Sequence, residues 1–134
     1  MSYDLMVFDP AAAPPKRAAF LDWYDLETEW SGEHDYDDPA LSTAALQAFF
    51  ADITQIFPHA PKHAEDDESE SGTDYTIGAH LIYMSFMWDG VDQAHETCWL
   101  LAAKHKLGLF DPSSDLAEVW LPDRKGGLFL AHAD

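Results

Sequence analysis

The sequence predicts an α+β fold: a two-layer sandwich of a mostly antiparallel sheet with helices packed on one face, built on a ferredoxin-like core with one extra helix. Three observations predict it. Segments of β patterning and segments of helical spacing follow one another in the order β-α-α-β-β-α-β-β. Helices grouped among strands in this way bury their apolar stripes against a sheet rather than only against each other. At 134 residues, 47% of them hydrophobic and 13% aromatic, the chain is of a size to form one domain around one core.

Each element has a local reason. Tyr3 to Phe8 reads as a strand and stops at Asp9-Pro10 and the Pro/Ala stretch behind it. Pro14-Pro15 suits a helix start, and Phe20, Trp23, Tyr24, Glu27 and Trp30 recur at helical spacing until Ser31-Gly32. EHDYDDP, residues 33–39, is a polar connector, with Asp38 or Ser42 as the cap of the next helix. That helix runs from about Leu41 to Phe57, puts Leu46, Phe49, Phe50, Ile53 and Phe57 on one face, and is ended by Pro58 and Pro61. Asp74 to Trp88 is rich in β-branched and aromatic residues, with Gly78 at a bulge or bend.

The third helix spans Val91 to Lys106, turns Val91, Ala94, Cys98, Leu101 and Ala102 inward, and has Gly108 where a C-terminal cap belongs. Leu109-Phe110 and Glu118 to Leu121 form a hairpin around the turn DPSSD. RKGG then breaks the order. Residues 1–134 make a single domain, of which 123–134 are expected to be a flexible or docking tail.

The strands carry an unusual pattern. Ile82, Met84, Phe86 and Trp88 share one face and Leu81, Tyr83 and Met87 the other; Leu5 and Val7 oppose Met6 and Phe8 in the first strand. Strands apolar on both sides need cover on both sides. The LFL segment or a helix on each face could supply it within the chain; a second protein or a second copy could supply it from outside.

Charge narrows the partners. Twenty-five acids against seven bases give a formal net charge of −18. Such a body repels nucleic acid and anionic membranes, whose phosphates carry the same sign, and attracts cations and basic proteins. No nucleic-acid or membrane partner is expected. Cys98 is the only cysteine, so the chain has no internal disulfide, and its place in an apolar helical pattern reads as a buried reduced thiol. MSYDLMVFDP lacks a basic n-region and a long apolar run, and LIYMSFMW is too short to cross a bilayer, so a cytoplasmic location is expected.

Motifs for chemistry are weak. His59 and His63 stand four apart, but Pro58 and Pro61 oppose a regular helix there. His95-Glu96 begins an HExxH pattern whose second histidine is replaced by Trp99. One cysteine makes no zinc knuckle, and the acidic runs lack the ligand spacing of an EF-hand. Ser85 lies in a strand without a nucleophile elbow, and the glycines form no phosphate loop. No catalytic residue, metal or cofactor is expected.

What remains is acidic and aromatic surface. Asp35, Asp37 and Asp38 form one acidic connector, and Glu65, Asp66, Asp67, Glu68 and Glu70 another, five acids within eight residues. These acids either keep the chain soluble or face a basic partner, and in the second case Trp30, Tyr36 and Trp88 near them are the aromatic anchors of the expected partner-binding surface.

The segments YDLMVFDP, FLDWYDLETEW, YDDPAL, FFADITQIFP, DYTIGAHLIYMSFMW and AAKHKLGLFDPSSD resemble a group of small acidic bacterial proteins associated with polymorphic-toxin loci of the type VI secretion kind. The likeness runs from Ser2 to about Pro122 and leaves LFLAHAD unmatched. It implies an immunity protein, a cytoplasmic antitoxin that blocks a cognate secreted toxin by binding it, with no active-site residues to carry over. A nuclease is the expected target, because its phosphate-holding groove must be basic. The alternative is a homodimeric or accessory protein–protein interaction domain; a small enzyme of unknown reaction is third.

Overall fold

The computed structural model describes residues 2–14, 16–27, 42–57, 74–87, 91–112, 116–123 and 125–133. They form β1 (Ser2–Phe8), α1 (Arg17–Glu27), α2 (Ala44–Ile56), β2 (Asp74–Ile77), β3 (Leu81–Met87), α3 (Val91–Lys104), β4 (Gly108–Asp111), β5 (Glu118–Pro122) and β6 (Leu128–His132). The six strands make one antiparallel sheet in the order β2-β3-β1-β4-β5-β6. Within it β1, α2, β2, β3, α3 and β4 reproduce the ferredoxin-like β-α-β-β-α-β unit, with β1 and β3 central. Two additions complete the chain: α1, inserted after β1, and the β5–β6 hairpin beyond β4.

The faces of the sheet follow from side-chain alternation. Leu5 and Val7 of β1 join Ile82, Met84 and Phe86 of β3 in the main core, which α2 closes with Leu46, Phe49 and Ile53 and α3 with Ala94, Cys98 and Ala102. These two helices are the helical layer of the sandwich. The opposite residues, Met6, Phe8, Leu81, Phe110 and Val119, meet Phe20 of α1 in a second cluster, flanked by half-buried Trp23 and Tyr24. Aromatic edges dominate there: Phe20 lies 5.2 Å from both Phe8 and Phe110, and Tyr24 meets Phe110 at 4.8 Å and 80°. Such pairs add about 0.5–1.5 kcal/mol beyond area burial. The two-sided strands thus find cover on both faces within the chain.

Local signals differ from expectation at three places. The cap of α2 is Thr43, whose Oγ1 accepts from Leu46 N at 3.3 Å. Ser42, one of the expected caps, instead donates its hydroxyl to Gly78 O at 2.6 Å; Asp38 lies outside the described residues. That bond ties the entry of α2 to the β2–β3 turn, where Gly78 N donates to Leu81 O. Gly78 is therefore a hairpin bend.

The end of α3 is closed by Lys106 rather than Gly108. Lys106 takes a left-handed φ of 58°, and Leu107 N and Lys106 N donate back to Ala102 O and Ala103 O, the double bond pattern of a Schellman closure. Gly108 serves a different need. It sits in β4 opposite Phe8, and a Cβ on it would lie 2.3 Å from the Phe8 ring.

The third difference is the segment 123–134. Its docking is internal: Leu128–His132 form β6, paired along β5. Asp123 builds the connecting turn by accepting from Lys125 N (2.7 Å) and Gly127 N (2.9 Å), with Gly126 at φ 86°. Those bonds, Gly127 first, hold the Asp123 carboxyl below its ordinary range.

Candidate functional site

The residues expected to bind a partner, Asp35, Tyr36, Asp37, Asp38, Glu65, Asp66, Asp67, Glu68, Glu70 and Trp88, lie outside the described residues. The elements that flank them are described. Phe57, the last described residue before the 58–73 connector, packs its ring 5.0 Å from Phe86, and its carbonyl accepts from the Tyr75 hydroxyl at 2.6 Å. Asp74, the first residue after that connector, pairs with Ser85, and Met87, just before Trp88, pairs with Ser2. Both anchor points of the Glu65–Glu70 segment and the departure point of Trp88 are thus gathered at one end of the sheet. The connector holding Asp35, Asp37 and Asp38 leads into α2 beside Ser42 and Gly78, at the opposite end.

Groups with chemical potential among the described residues are committed to the fold. Tyr3, buried in the main core, donates to Asp111 Oδ2 at 2.9 Å across 108 positions of sequence, and His95 Nε2 stands 3.8 Å from the same oxygen. Burial, reinforced by Asp111, pushes the Tyr3 hydroxyl well above the ordinary phenol range, so it acts as a donor. Burial also raises the Cys98 thiol, with Asp111 adding to it. Cys98 is a neutral core side chain, as its helical pattern predicted, and thiolate chemistry is closed to it.

Asp52 on α2 accepts from His105 Nε2 at 2.7 Å and from Lys104 Nζ at 3.0 Å, joining α2 to the end of α3. The His105 bond, then the Lys104 bond, lowers the Asp52 carboxyl. This is an ion-pair clasp on the helical layer. Among the described residues no group of three or more His, Cys, Asp or Glu could hold a metal ion.

Sequence reasoning missed a constellation on the α1 side. Arg17 Nη1 donates to Ala117 O at 2.9 Å and lies 3.1 Å from His132 Nδ1. A guanidinium only donates, so His132 Nδ1 is the acceptor and its proton resides on Nε2. Burial and then the Arg17 charge lower the His132 pKa, while its ring meets Phe20 edge-on at 5.3 Å. Beside it is a small open apolar recess lined by Phe8, Pro10, Pro14, Phe20, Leu121 and His132. A separation of 115 residues left no sequence signal for this pair.

Exposed apolar residues are the other feature the sequence did not locate. Among the described residues Leu26, Ile56 and Leu100 are exposed singly on the three helices, and Leu116, Phe129 and Leu130 are about half exposed, at 50%, 48% and 47%. Those last three belong to the β5–β6 end of the sheet. No described helix is long and apolar enough to cross a membrane. Comparison with known proteins finds no matching family model, no matching curated protein and no matching solved structure.

Proposed function

We propose that this chain is a cytoplasmic immunity protein, an antitoxin that binds a cognate secreted toxin, a nuclease above all, and covers its basic active-site cleft. The carrying observation is the charge of −18 on a chain of 134 residues, with its densest acidic runs at 35–38 and 65–70. In sequence those runs fall between α1 and α2 and between α2 and β2. The described residues that flank these segments, Phe57, Asp74 and Met87, lie at one end of the sheet, which is compatible with this reading. Electrostatic complementarity of this kind raises the association rate and weakens steeply with salt. Groups such as Tyr3, Cys98 and Asp52 are absorbed by packing and ion pairing, which fits a protein whose work is done by its surface.

The test is co-expression with the product of the adjacent gene. A toxic product, neutralised only when this chain is present and purifying with it one to one, is the expected result. Substituting Glu65, Asp66, Asp67, Glu68 and Glu70 by Gln or Asn together should slow association on the order of tenfold or more at low salt. Toxicity unchanged by this chain would refute the proposal.

A further inference from the structure

We propose that the outer edge of β6 is a self-association surface, where a second copy of this chain adds its own β6 antiparallel to extend the sheet. β2 and β6 are the two outer strands of the sheet, and they are built differently. β2 is four residues long, and Tyr75, Thr76 and Ile77 are all buried, at 0%, 7% and 0% exposure. It is a covered edge. Among the described residues β6 pairs with β5 on one side only; it contains no acid, lysine, arginine or proline, and sets Phe129 and Leu130 half exposed on alternating faces. Natural edges are guarded by charge, proline or cover against such pairing; β6 has none of those residues, and at its centre Phe129 and Leu130 are uncovered.

Charge selects the occupant. Residues 119–134 hold two acids, Asp123 and Asp134, and two bases, Arg124 and Lys125, so the whole of the −18 lies in residues 1–118. A basic protein would be drawn to the acidic part of the chain and gains nothing electrostatic from a neutral strand. Two copies of an anionic chain, by contrast, approach with least repulsion through their neutral ends. A two-fold axis across the paired strands closes the assembly as a dimer.

The inference is independent of the toxin-binding proposal, and salt separates the two. Screening relieves repulsion between like-charged copies, so self-association should tighten as salt rises, whereas binding to a basic partner should weaken. The experiment measures solution mass by light scattering across protein concentration at low and high salt. The mass should climb from 15.0 kDa toward twice that value, at lower concentration in high salt. Phe129→Lys with Leu130→Lys should raise the dissociation constant about tenfold or more, with helix and strand content unchanged by circular dichroism. Should that variant misfold, Phe129→Thr with Leu130→Thr keeps β propensity and should weaken the dimer in the same direction. In the wild type, amide exchange at residues 128–132 should slow as concentration rises. A single-chain mass at every concentration would overturn the proposal, and so would a dimer indifferent to both double variants.

Discussion

Gly108 shows how one residue type can carry two meanings. From sequence it stands just past an amphipathic helix, where glycine commonly supplies a left-handed cap. In the structure Lys106 takes that conformation, and Gly108 is needed because the Phe8 ring occupies the space of its Cβ. The contact joins residues 100 positions apart, so no local pattern could reveal it. Gly108→Ala should cost about 1–3 kcal/mol as an overpacked site, and Phe8→Leu in the same background should recover part of the loss. Urea titration of the single and double variants checks this; additive losses would contradict it.

His132 makes a second prediction at this scale. Its pKa is lowered from 6.5 by burial and by Arg17. The unfolded chain therefore binds more protons between the folded and unfolded values, and the associated stability is complete above about 6.5 and lost as pH falls through the folded value. His132→Phe, which retains a ring against Phe20, should lose less stability between pH 7.5 and pH 5 than the wild type. Equal losses in the two proteins would remove His132 as the source.

At the level of elements, long and strongly periodic segments were the legible ones. All three helices fall where their apolar spacing puts them: Phe49 and Ile53 of α2, and Ala94, Cys98 and Ala102 of α3, are buried in the main core. The alternation of β1 and β3 on two faces was equally legible, and α1 explains it through Phe20. Caps were less so, because Ser42 and Thr43 are adjacent hydroxyls and only the geometry separates them. Thr43→Ala should destabilise by about 1 kcal/mol through loss of the bond to Leu46 N. Thr43→Ser should restore most of it in thermal unfolding; a serine variant no better than alanine would mean that the hydroxyl does not cap. For β6 the sequence offered LFL only as a candidate cover or docking tail, not as a strand. LFLAH follows RKGG and carries no pairing signal of its own; its strand state is set by Asp123 locking the turn and by β5 offering an edge.

Over the whole molecule, two properties are laid out separately. The antiparallel sheet and its helices are held by apolar packing on both faces, and the charge is carried in residues 1–118, most densely in connectors. Composition made the charge plain at once, whereas the gathering of Phe57, Asp74 and Met87 at one sheet end required the strand register. The described frame buries an apolar core on each face of the sheet, with the Tyr3–Asp111 bond as a buried polar link within it.

The measurement that bears most directly on this account is the affinity of the chain for the product of its neighbouring gene as salt is raised. The account predicts a one-to-one complex whose association slows steeply with salt, and whose salt dependence flattens when Glu65, Asp66, Asp67, Glu68 and Glu70 are neutralised. Absence of a complex, or a complex equally tight at every salt concentration, would contradict it.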